Sequence, residues 1–70
     1  MPIRTFIAVI HKEDDLYVAE CPEAGTVSQG YKVEEAIANL KEATELYLEE
    51  FPLQKMAKPI VTTFEAIVGA

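Results

Sequence analysis

Residues 33–51 read Val33-Glu34-Glu35-Ala36-Ile37-Ala38-Asn39-Leu40-Lys41-Glu42-Ala43-Thr44-Glu45-Leu46-Tyr47-Leu48-Glu49-Glu50-Phe51. Set at 100° per residue, Val33, Ala36, Ile37, Leu40, Ala43, Tyr47 and Phe51 fall on one stripe, and Glu34, Glu35, Glu42, Glu45 and Glu49 fall opposite. This is an amphipathic helix. Pro52 stops it, because proline lacks the donor and disfavours helical geometry in the residue before it. Lys32 stands where a Ser, Thr or Asp cap is expected. Upstream, residues 3–11 are β-branched and aromatic and predict a strand. Lys12-Glu13-Asp14-Asp15 is a polar turn, and Leu16–Cys21 a second strand, so the pair forms a hairpin. Pro22-Glu23-Ala24-Gly25 breaks the ladder, and Thr26–Gln29 is a short third strand closed by Gly30. Downstream, residues 52–59 are a connector and residues 60–68 predict a last strand. The order β-β-β-α-β is an α+β fold, an antiparallel sheet with one helix on one face, in a single domain spanning residues 1–70.

Seventy residues leave no room for a second domain. A chain this short buries only about 60% of its unfolded surface, and such chains usually add disulfides, a metal or a partner subunit. Cys21 is the single cysteine, so no internal disulfide forms, and with His11 as the only other Cys/His candidate the four ligands of a structural zinc site are not expected. Self-association is the remaining stabiliser. The first strand supports it, being apolar on both faces: Phe6, Ala8 and Ile10 on one, Ile3, Ile7 and Val9 on the other. The last strand repeats the pattern, with Ile60 and Phe64 against Val61 and Ile67. One helix covers one face, and a half-solvated sheet alternates apolar and polar residues. The second face, or an edge, therefore meets another subunit, with Ile7, Val9, Val61 and Ile67 as contacts and Leu46 as a further one on the helix.

Six basic residues against twelve acidic ones give −6, which argues against direct nucleic-acid binding and suits a basic protein partner. No apolar stretch approaches the roughly 20 residues that span a membrane. The start, Met1-Pro2-Ile3-Arg4, has no charged region followed by an apolar core, so no secretion signal is expected; with a free thiol this points to the cytoplasm. Residues 33–51 hold six acids and one base. Glu45 and Glu49 repel at i,i+4, and Glu49 and Glu50 sit at the helix C-terminus, where the macrodipole disfavours anions. One reading is a solvated face; the other is an electrostatic docking surface for a basic partner.

Chemistry is sparse. Cys21 and His11 end adjacent predicted strands, but no third group orients them, and a lone cysteine on an apolar strand is usually a packing residue. Glu13-Asp14-Asp15 lacks the alternate ligands and turn glycine of a calcium loop. Glu20 and Glu23 have no visible acid/base partner, and Gly25 and Gly30 do not make a phosphate loop. The expectation is a non-enzyme with no catalytic set, metal or cofactor.

Three pieces in order carry more. Tyr17-Val18-Ala19-Glu20-Cys21-Pro22-Glu23, then Val27-Ser28-Gln29-Gly30, then Glu34-Glu35-Ala36-Ile37-Ala38-Asn39-Leu40-Lys41-Glu42-Ala43 resemble the HicB-like antitoxin family, and His11–Asp15 is similar to that family's hairpin turn. The resemblance spans roughly residues 6–50. It implies a truncated ribonuclease-H-like domain that binds HicA, a small basic toxin that cleaves mRNA, and blocks its active site. Two acidic surfaces are then open as contact sites: the hairpin with Glu13, Asp14, Asp15, Tyr17 and Glu20, and the helix with Glu42, Glu45 and Glu49. Many family members carry a C-terminal DNA-binding domain; the residues after Val68 leave no room for one, so a short member without operator binding is expected. Two other classes stand beside the antitoxin: an orphan, self-associating scaffolding module, and a small hydrolase using Cys21 and His11.

Overall fold

In the computed structural model, which describes residues 3–52 and 59–69, the chain runs β1 (Val9–Glu13), β2 (Leu16–Cys21), β3 (Thr26–Gly30) and α1 (Val33–Glu50). The strands form one antiparallel sheet in the order β1-β2-β3. Glu13 pairs with Leu16, so the first turn is only Asp14-Asp15, tighter than the sequence suggests. Asp14 takes φ 54. A two-residue hairpin loop needs a positive φ at its first central residue, and aspartate tolerates it better than most residues. Residues 22–25 join β2 to β3, with Gly25 at φ 75 and its N–H donating to the Cys21 carbonyl at 2.8 Å.

Alternation along β2 sends Tyr17, Ala19 and Cys21 under α1, and Leu16, Val18 and Glu20 to the other side. The core is Ala19, Cys21, Ala36 and Leu40, with Phe6, Ile10, Tyr17 and Ala24 packed against it. Apart from Leu40 the buried side chains are small, and Gly30 shows why: a Cβ there would lie 2.7 Å from the Ala36 nitrogen. The helix lies almost on the backbone of β3. Polar bonds secure it. The Thr26 and Thr44 hydroxyls meet at 2.7 Å, and the Asn39 amide donates to the Gln29 carbonyl at 2.8 Å. Lys32 provides no side-chain cap; instead the Glu35 carboxylate accepts the Tyr31 N–H at 2.9 Å. That arrangement resembles the return half of a capping box.

The predicted stripe is only partly covered. Ala36 and Leu40 are buried, yet Tyr47 and Phe51 are exposed and stack on each other at 5.0 Å. Length explains this. An 18-residue helix spans about 27 Å, and strands of five or six residues about 17–20 Å, so its last turns overhang the sheet.

Two strand predictions need correction. The first strand starts at Val9, not Ile3; residues 3–8 join no ladder, and the Ile7 N–H donates to the Glu23 carboxylate instead. The fourth strand, predicted over residues 60–68, is not in the sheet: residues 59–69 carry no regular secondary structure, and Ile60, Val61, Phe64, Ile67 and Val68 are all exposed. Their β propensity is real, but a strand exists only beside a neighbouring backbone, and none of β1–β3 pairs with them. Of the predicted connector, residues 53–58 lie outside the described residues.

The two turn and packing glycines respond differently to substitution. Gly30→Ala forces the helix off β3 and costs about 1–3 kcal/mol, the range for an overpacked contact. Gly25→Ala has open space around it and costs about 1–2 kcal/mol through its left-handed φ alone. Urea unfolding followed by circular dichroism measures both. Hydrogen exchange separates them, since only Gly30→Ala speeds exchange in the first turns of α1.

Candidate functional site

The acidic residues singled out in the sequence do not converge. Glu13, Asp14 and Asp15 are exposed at the hairpin tip, at the end of the sheet where α1 begins. Glu13 lies 3.4 Å from His11 Nε2. Tyr17 is half-buried on the helix side, with Lys12 Nζ 5.7 Å from its ring centroid. Glu20, opposite Val9, lies on the sheet face that α1 does not cover. Glu42, Glu45 and Glu49 stand about 140–200° around the helix from buried Leu40, hence on its outer side. Lys41 Nζ pairs with Glu45 Oε2 at 3.2 Å across exposed surface, which contributes little to stability. The helix carboxylates and Glu20 therefore face opposite ways, and the tip is a third, terminal surface.

The residues read as contacts between copies are similarly distributed. Val9 is partly exposed on the uncovered face, which also carries Leu16, Val18 and Val27. Leu46 is exposed on the helix, as are Val61 and Ile67 in the last segment. Ile7 differs: it is half-buried in the wall of a groove.

That groove was not visible in the sequence. It lies between residues 3–8 and α1, has a volume of about 580 Å³, and is lined by Phe6, Ile7, Cys21, Ile37, Leu40 and Leu48, with Arg4, Lys41 and Glu45 at its margin. Glu23 holds one wall in place through Ile7. Its two carboxylate oxygens accept the Ile7 N–H at 3.2 and 3.3 Å, and the Cys21 thiol donates to one of them at 3.6 Å. This ties the β2–β3 loop to the segment before β1. The contact joins residues 16 apart, so no local pattern announces it; the two-faced apolar run before Val9 was the only signal.

Cys21 and His11 do not meet. Cys21 is buried beneath α1, while His11 pairs with Val18 on the uncovered face. Among the described residues no three His, Cys, Asp or Glu side chains gather where they would hold a metal ion, and no helix is long and apolar enough to cross a membrane.

The geometry, an acidic three-strand-and-helix module with an apolar groove, has a relative. Over 51 residues, 71% of this chain and 71% of the other, the sequence is 47% identical to a UPF0150 protein of Helicobacter pylori strain J99. The chain belongs to the UPF0150 family. No protein-family model matches it, and no solved structure matches it. In this UPF0150 chain the loop carboxylate of Glu23 positions the groove wall, and its removal has a local readout. Glu23→Ala destabilises the protein by about 1 kcal/mol, the scale of one partly solvated hydrogen bond. It also accelerates exchange of the Ile7 amide while leaving the β2–β3 ladder protected, which NMR hydrogen exchange resolves.

Proposed function

We propose that this UPF0150 chain is a HicB-like antitoxin module that binds and neutralises a small basic HicA-type mRNA interferase in the cytoplasm, with no chemistry of its own. Family membership carries the reading: UPF0150 is the HicB-like family, and the relative is 47% identical over 71% of this chain. The charge supports it. A net −6 presents to a basic RNA-binding surface the sign that RNA itself would offer. The outer face of α1 is the stronger docking surface, because it concentrates exposed carboxylates with Lys41 as the only base in residues 33–51. Like-charge repulsion between Glu45 and Glu49, and anions at the helix C-terminus, cost the free protein stability. A cationic partner relieves both.

A second reading, a self-associating scaffold without a toxin, is favoured by the exposed apolar side chains of residues 60–68. Co-expression decides between them. The antitoxin relieves growth arrest caused by a small basic chain encoded beside it, and the two elute together in low-salt size-exclusion chromatography. Unrelieved arrest with no complex at low salt overturns the antitoxin reading.

Charge reversal locates the surface. Glu42→Lys with Glu49→Lys slows association about tenfold or more at low salt, the scale of electrostatic steering, and flattens the salt dependence measured by stopped flow. Asp14→Lys with Asp15→Lys has the smaller effect. The reverse ranking moves the contact to the hairpin tip.

A further inference from the structure

In the last described segment, sequence and environment disagree. Residues 60–68 have strand character, yet Phe64 is 89% exposed and Ile67 fully exposed. The Cα radius of gyration is 14.4 Å, against about 11 Å for a compact chain of this length. A segment this apolar needs a cover.

A complementary surface exists on the same molecule. α1 packs on β3 and β2, leaving β1 as an edge, and the apolar groove lies beside residues 3–8, which lead into that strand. The other edge is less receptive, because Asn39 already occupies the Gln29 carbonyl of β3. In an extended conformation Ile60, Thr62, Phe64, Ala66 and Val68 share one face without a charge, and Glu65 stands on the other. The uncharged face matches the apolar groove.

We propose that residues 60–68 supply the fourth strand to a second copy of this chain, pairing with its β1 edge and seating Ile60, Phe64 and Val68 against its groove, while the second copy returns the same contact. The exchange is reciprocal, so it is closed and isologous. It covers two segments and two grooves at once. It also supplies the stabiliser that a 70-residue chain with no disulfide requires.

The test uses the full-length protein. Light scattering after size exclusion gives twice the chain mass of 7.8 kDa. Phe64→Asp, which places a charge in the proposed contact, gives the single-chain mass with the helical circular dichroism unchanged. Because a variant can fail for other reasons, the wild type is also examined as a one-to-one mixture of isotope-labelled and unlabelled chains. Filtered NOEs between Phe64 or Val68 of one chain and Phe6, Ile37 or Leu48 of the other establish the exchange. A monomeric wild type overturns the proposal. So does a dimer whose Phe64 contacts lie only within its own chain, or one that survives Phe64→Asp and separates on Val18→Asp at the uncovered sheet face.

Discussion

The close approach of α1 to the backbone of β3 governs this structure. Gly30 permits it, since any side chain there would collide with the first turn of the helix. Ala19 and Ala36 fill what little space remains, and Leu40 is the one large aliphatic side chain in the buried cluster. Such a core excludes little water per residue, so direction comes from polar contacts. Thr26 with Thr44, Asn39 with Gln29 and Glu35 with Tyr31 pin the helix at three points along its length. The Thr26–Thr44 contact also satisfies hydroxyls that close packing would otherwise strand away from solvent, Thr44 being buried.

The same geometry divides the surface by chemistry. Because α1 sits over β2 and β3, its carboxylates face outward and its flank toward β1 stays open. Glu42 and Glu49 are thus held away from the apolar groove, with Glu45 at the border between the two surfaces. The proposed toxin contact and the proposed self-association then share only the Lys41–Glu45 border of the groove. Glu23 belongs to the second of these surfaces, although its charge suggests the first.

Legibility in the sequence followed the range of the interactions. The helix ends, the β1–β2 hairpin and the strand β3 came from neighbouring residues: the periodicity up to Phe51, Pro52 as a stop, and Gly25 and Gly30 as breaks. The α+β architecture with one helix on the sheet follows from these local signals. Errors came where a distant group decides. Ile3–Ala8 has strand composition but is held by Glu23, and residues 60–68 have strand composition but pair with none of the described strands. Tyr47 and Phe51 lie on the apolar stripe, yet the sheet ends before it reaches them. For the site, the sequence yielded the acidic residues but not their separation onto different surfaces, since helical and strand periodicities do not say which sides of two elements meet.

The two-residue turn at Asp14-Asp15 has a consequence in time. It links β1 directly to β2, a short loop links β2 to β3, and α1 follows β3 after two residues. Every strand pairing is between consecutive strands, and α1 packs on the two strands just before it, so most contacts are short in sequence. Hairpins of this kind close in about 1–10 μs and domains dominated by local contacts fold in microseconds to milliseconds. A strand contributed by another molecule obeys different kinetics, because its arrival is second-order. Refolding is therefore biphasic under the proposed exchange, with an early phase independent of protein concentration and a later one proportional to it.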